Sequence, residues 1–244
     1  MSDPGQGRSA LVFGARNLGK AIIERLIDAE WAVAAVARSQ ETLQGITAAG
    51  ALALRADVTD QASVREAVEQ AADAHGGVEL IVNAASAYGG PRKGPFGGGP
   101  LAEADADAFD SWAVAPARSA FAFLSGAAGY LVQQGRAATV IQVTGGSSRR
   151  AMPGRGLWAA GAFGVRAITQ AAALELRSQG IHVALPIVDA GIEPLSAAAR
   201  GDTPVEAMAD PRGLAESVLF LAEQGPRAAT HELQVTPLAE TWVP

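Results

Sequence analysis

The segment Leu11–Ile22, LVFGARNLGKAI, decides how the rest of the chain is read. An apolar run meets a glycine, and a helix-forming stretch begins after it. That order describes a buried strand, a tight turn and the start of a helix. A glycine in such a turn lets the main chain approach a phosphate. The helix that follows offers unpaired N–H groups and the positive end of its dipole. Gly14, Arg16, Asn17, Leu18 and Gly19 are therefore candidate nucleotide contacts. Asn17 stands inside the turn, where asparagine tolerates a left-handed backbone better than most side chains.

Working outward, the same alternation runs almost to the end of the chain. Ala10–Phe13, Ala32–Ala37, Leu52–Leu54, Leu80–Asn83, Thr139–Val143, Val183–Val188 and Leu233–Val235 are nearly continuous apolar runs, as buried parallel strands are. Leu18–Ala29, Asp60–Ala74, Asp107–Gln134, Leu157–Gln179 and Asp210–Glu223 read as helices between them. Asp60 supplies an N-cap, and Gly76–Gly77 closes the same helix. The pattern predicts an α/β fold: one doubly wound, Rossmann-type domain over residues 8–244. Its seven-stranded parallel sheet carries helices on both faces. Met1–Gly7 reads as a flexible polar tail. Two Gly/Pro-rich loops, Ser86–Pro100 and Asp189–Ala209, leave the carboxyl edge of the sheet, where ligands bind in such folds.

Composition narrows the function. The net charge is −6 and the pI about 5.1, which argues against a nucleic-acid or anionic-membrane partner. The chain has no cysteine, so disulfides, thiol catalysis and Cys-ligated zinc drop out together. His75, His182 and His231 lie far apart in sequence, and no metal site is expected. No run of about 18 apolar residues is free of Gly, Pro and charge. A soluble cytoplasmic protein is the expectation.

Four stretches carry a resemblance. Leu11–Ile22, Glu79–Ser86 (ELIVNAAS), Val140–Ser148 (VIQVTGGSS) and Trp158–Leu176 (WAAGAFGVRAITQAAALEL) resemble, in order and spacing, the short-chain dehydrogenase/reductase family. The resemblance implies a nicotinamide cofactor. Its adenine would lie along Asp57-Val58, supported by Asn83-Ala84-Ala85. The family's glycine turn has one residue more than this one and a glycine at Asn17. An acid at the end of strand two would bond the ribose of NAD. Here Ala37 is followed by Arg38, with Arg16 on the turn. Two guanidinium groups suit the 2′-phosphate of NADP(H). After strand six, Val188-Asp189 and Glu193 replace the family's Pro-Gly and Thr, which places carboxylates near the cofactor.

The resemblance also implies four catalytic positions, Asn, Ser, Tyr and Lys. This chain carries Pro116, Gly145, Trp158 and Ala162 there. An indole N–H donates a hydrogen bond but yields no proton near neutral pH, and alanine and glycine offer nothing. A proline keeps a helix kink while removing an N–H. Thr144, Tyr88, Ser147, Ser148, Arg149, Arg155, Asp189 and Glu193 are the candidate substitutes, with Asp189 and Tyr88 foremost as proton donors.

Three readings follow. One is a catalytically silent protein with an eroded NADP(H) site that binds a small molecule, alone or as the partner of an active homologue. The second is an active NADP(H)-dependent oxidoreductase with a non-standard proton donor. The third, a cofactor-free enzyme of the halohydrin dehalogenase kind, is discounted, since those keep Ser and Tyr. The family's dimer helices correspond to Asp107–Gln134 and Leu157–Gln179, rich here in small residues such as Ala113, Ala117, Ala120, Ala159, Ala160 and Gly164. A homodimer or homotetramer is expected.

Overall fold

The central strands form because each buries both of its faces. In the computed structural model, which describes residues 8–85 and 93–240, β1 (Ser9–Phe13) is buried along its whole length. Its odd and even residues go to opposite sides. Leu11 and Phe13 join one core with Ala34, Val36, Val64 and Phe123. Ala10 and Val12 join another with Ile22, Leu26, Val33 and Leu214. Two cores on two faces of one sheet are what continuous apolar strands require.

The remaining strands are β2 (Ala32–Ala37), β3 (Leu52–Arg55), β4 (Leu80–Asn83), β5 (Ala138–Gln142), β6 (Thr144–Gly145), β7 (Ile181–Val188) and β8 (Glu232–Val235). All described pairings are parallel, in the order β3-β2-β1-β4-β5-β7, with β8 on the far side of β7. β6 continues β5 after a break at Val143, and both pair with β7. The sheet is thus seven strands wide, as the alternation predicted.

The helices are α1 (Asn17–Asp28), α2 (Gln40–Ala48), α3 (Gln61–His75), α4 (Ala106–Phe109), α5 (Ala115–Gln134), α6 (Gly156–Leu176), α7 (Ala197–Arg200) and α8 (Pro211–Ala222). A π turn, Asp110–Val114, joins α4 to α5. The π turn lies just before Pro116, which cannot donate to a preceding carbonyl. α2 is not among the helices expected from sequence. Only Ile46 of it is buried and Gly45 interrupts it, so it has little periodicity to read. Its one clear signal is Ser39, whose hydroxyl accepts from the Thr42 amide.

The small residues of α5 and α6 serve the packing inside the chain. A Cβ on Gly161 would run into the Trp112 carbonyl, and one on Gly164 would stand 3.0 Å from the Ala117 methyl. Ala113, Ala120 and Ala159 are buried. The outward faces carry Phe121 and Val132 on α5, and Phe163 and Leu174 on α6. Each pair is eleven residues apart, three helical turns, so it lies on one stripe. No helix among the described residues is long and apolar enough to cross a membrane.

Candidate functional site

The carboxyl ends of the strands open into one cleft of about 840 Å³. β1 runs into Gly14 at φ 90°, and Asn17 follows at φ 39°. Both are left-handed, so Asn17 carries the second turn conformation itself. Close approach also fixes Gly19. A Cβ there would collide with the Gly14 carbonyl oxygen, and one on Gly14 would meet the Ala85 backbone at 2.8 Å. The Asn17 Oδ1 is buried with no hydrogen-bond partner among the described residues.

Gly14, Arg16, Asn17, Leu18, Arg38, Val58, Asn83, Ala84 and Ala85 all line this cleft. Of the expected nucleotide contacts, Gly19 and Asp57 do not. Gly19 lies beneath the turn. Asp57 instead accepts from Thr59 and sits 3.8 Å from the Arg38 guanidinium. The Asn83 side chain is locked: its amide donates to Gln142 Oε1 at 2.9 Å, and its Oδ1 accepts from the Ala85 amide. Ser39 and Thr42 also line the cleft beside Arg38, with their hydroxyls 2.7 Å apart. The start of α2, the helix with no periodicity to read, brings both there.

At the other end, Pro116, Gly145, Trp158 and Ala162 meet in the same cleft, joined by Thr144, Ser119, Ala120 and Val165. The indole edge of Trp158 lies 3.9 Å from where a Cβ on Gly145 would stand. Three aromatic rings build one wall. Phe96 packs edge-on against Trp158 at 4.7 Å and against Trp112 at 5.4 Å. Trp112 is buried, and its indole N–H donates to the Lys93 carbonyl at 2.8 Å. Both loops flagged from sequence border the cleft. Phe96 comes from the first, and Ile192, Pro194, Leu195 and Ser196 come from the second.

The second loop corrects an expectation. Ala190, Ile192 and Pro194 face the cleft; Asp189 and Glu193 do not line it. Extended backbone sends alternate residues to opposite sides. Asp189 is buried behind the lining, takes Arg150 at 3.0 Å and lies against Gly146. Its carboxylate is therefore spent on an ion pair and is not aimed at a bound ligand. Ser147, Ser148, Arg149 and Arg155 are also outside the lining, and Tyr88 lies outside the described residues. Among the described lining residues the only charges are Arg16 and Arg38, and none is Asp, Glu, His, Lys or Tyr.

Behind the cleft floor a second set of charges is fully paired. Glu232 accepts from Arg166 Nε and Nη2, each at 2.8 Å, and from the Gln170 amide at 2.7 Å, with Arg149 at 3.5 Å. The Arg166 hydrogen bond holds its carboxyl below the ordinary glutamate range, against the opposing effect of burial. This network ties α6 and the segment after β6 to the edge strand β8. No group of three or more described His, Cys, Asp or Glu residues is arranged to hold a metal.

Comparison with known proteins places the chain. Residues 8–192 match the family model of the short chain dehydrogenases. The chain belongs to the short-chain dehydrogenase/reductase family. It is 29% identical over 182 residues to a sorbitol dehydrogenase of Cereibacter sphaeroides, spanning 72% of this chain and 68% of that one. Among solved structures it resembles an alcohol dehydrogenase from the archaeon Thermococcus sibiricus complexed with 5-hydroxy-NADP (TM-score 0.76, 20% identity, 98% and 100% of the two chains). It also resembles a 3-ketoacyl-(acyl-carrier-protein) reductase from Brucella melitensis complexed with NADH (TM-score 0.77, 23% identity, 96% and 98%).

Proposed function

We propose that this short-chain dehydrogenase/reductase family protein binds NADP(H) at the Gly14–Gly19 end of its cleft and does little or none of the family's carbonyl and alcohol chemistry. The single observation that carries the reading is the lining itself. Pro116, Gly145, Trp158 and Ala162 stand together where the family resemblance puts Asn, Ser, Tyr and Lys, and no described lining residue can exchange a proton near neutral pH.

The nucleotide end fits a dinucleotide. Gly14, Arg16, Asn17 and Leu18 would hold the pyrophosphate at the α1 N-terminus, where orphan N–H groups and the helix dipole favour anions. The unpartnered Asn17 Oδ1 is an acceptor that a bound hydroxyl or water satisfies. Arg16, Arg38, Ser39 and Thr42 would take the 2′-phosphate, and Val58 and Asn83–Ala85 the adenine side. A bound nicotinamide supplies a hydride; this chain offers no ribose anchor at Ala162 and no acid at Trp158. Because Asp189 faces away from the cleft, one repulsion expected from sequence is removed, so the nucleotide is less disfavoured than the bare motif implied.

A homodimer or homotetramer, through the apolar stripes Phe121/Val132 and Phe163/Leu174, accompanies this reading. An active homologue presenting the same stripes would pair in the same way. A thermal-shift titration with NADP(H), NAD(H) and neither tests the nucleotide site. NADP(H) raises the melting temperature more than NAD(H) does. No shift with either, or equal shifts, overturns it.

A further inference from the structure

The inner end of the cleft holds a polar group that no described residue satisfies. Ser119, on α5, is only 5% exposed and lines the cleft, yet its hydroxyl has no hydrogen-bond partner among the described residues. A helical serine ordinarily bonds back to the carbonyl four residues earlier; Ser125 does so to Phe121 at 2.6 Å. The Ser119 hydroxyl opens into the cleft, so whatever occupies the cleft beside it, water or ligand, fills its bonding capacity.

The other α5 and α6 residues that line the cleft with Ser119 are apolar. Ala120, Ala162 and Val165 are buried, and Pro116 and Trp158 complete the chamber. Trp158 is braced by Phe96 and Trp112, whose rings meet it at 4.7 and 6.2 Å. The two lining charges, Arg16 and Arg38, belong to the turn after β1 and the end of β2, away from the α5–α6 residues that form the chamber. A charged group entering it would lose its hydration without a counter-ion. Flat aromatic surfaces favour ring ligands packed edge-on or offset.

We infer that the chamber formed by Pro116, Ser119, Ala120, Trp158, Ala162 and Val165 is a binding site for an uncharged, flat, apolar ligand carrying one hydrogen-bonding atom, which Ser119 meets. Its hydroxyl donates to a carbonyl or accepts from a phenol. The inference rests on the reading that this cleft binds ligands without carrying out the family's proton transfer. Small residues at 120 and 162 leave the room, and Gly145 leaves the Trp158 edge uncovered.

Equilibrium dialysis with 2-naphthol, naphthalene and 2-naphthoate tests it, using each probe's own fluorescence for detection. 2-Naphthol binds, naphthalene binds about 2- to 10-fold more weakly for want of one hydrogen bond, and 2-naphthoate is not retained. Ser119→Ala, which removes only the hydroxyl, abolishes the preference for 2-naphthol and leaves naphthalene where it was. Ala162→Leu, which fills the chamber, lowers binding of both neutral probes at least about tenfold. Retention of 2-naphthoate as tightly as 2-naphthol overturns the inference, as does an unchanged preference in Ser119→Ala, or no binding of either neutral probe. The same preparations are titrated with NADPH. A thermal shift by NADPH without probe binding sinks this inference and spares the nucleotide site. Probe binding in the stated pattern without an NADPH shift does the reverse.

Discussion

The two ends of the cleft differ in what their sequence can still do. At the Gly14 end the left-handed turn, the buried glycine contact beneath it and two guanidinium groups are all in place. At the Trp158 end the same fold holds four residues in one lining, and none can move a proton. Backbone geometry and side-chain chemistry are separable properties of a scaffold, and under the proposed function the second is what changed at the Trp158 end. The altered end is also repacked. Trp158 is larger than a tyrosine, Gly145 smaller than a serine, and the indole edge lies over the space so freed. Phe96 and Trp112 brace that indole, so it forms one firm wall of this end of the cleft.

The largest expected effect sharpens the intact end. Gly19→Ala places a methyl against the Gly14 carbonyl oxygen, a backbone atom that cannot turn aside. Overpacking of this kind costs about 1–3 kcal/mol. Urea unfolding shows that loss, and the NADPH shift disappears with it. Wild-type stability in Gly19→Ala would mean the turn is not built as described.

Arg38→Asp comes next. It removes a charge-assisted contact to the 2′-phosphate, worth roughly 1.5–3 kcal/mol, and so weakens NADP(H) by about 10- to 100-fold while NAD(H) changes little. Calorimetric titration of both cofactors checks the difference. Asp189→Asn is the control from behind the lining. It leaves NADPH affinity within about twofold, because the carboxylate faces Arg150 and not the cleft. Its cost falls on folding stability, since it weakens the ion pair that the buried Asp189 makes with Arg150.

The smallest effect is the response to pH, and it also separates the two regions. Binding of neutral probes in the inner chamber is flat from about pH 7 to pH 9, because no described lining group titrates there. Stability is not flat. Burial holds the His182 imidazole below its ordinary value, and the neighbouring His231 ring acts the same way, against the hydrogen bond to the Thr230 carbonyl. The unfolded chain then takes up that proton first. Its contribution is complete above about pH 6.5 and is lost as pH falls toward the folded value. Glu232 is also depressed, so its contribution persists below that range and is lost only as pH falls through its own lower value. Thermal melts between about pH 7 and pH 2 therefore show Tm declining in two stages, the second below about pH 4.5; a Tm that rises on acidification contradicts both assignments.

How much of this was legible in the sequence follows from the physics of each part. The central strands were readable because both faces are buried, and a run as short as Leu80–Asn83, apolar up to its last residue and set between turn residues, suits a buried strand better than a helix. The turn after β1 was readable from Gly14 and Asn17, since few residues adopt those backbone angles. α2 escaped because one buried residue gives no period. Ser119 escaped for a different reason. A serine inside an alanine-rich helix looks like any other, and only its burial and its missing partner single it out. The side on which Asp189 lies was equally hidden. Pattern matching puts it beside the cofactor, whereas the alternation from Val188 to Pro194 turns it away.

The central claim is that the cleft keeps its nucleotide end and has lost the family's proton transfer. The most direct measurement is the rate of NADPH oxidation, followed by nicotinamide absorbance, with a panel of small ketones and aldehydes. The parent protein is run beside the quadruple variant Pro116→Asn, Gly145→Ser, Trp158→Tyr, Ala162→Lys. The account predicts no turnover above background for the parent and, in the variant, a rate at least about 10²-fold higher, the lower end of what one general acid contributes. Robust turnover by the parent, unaffected by restoring the four residues, would contradict it.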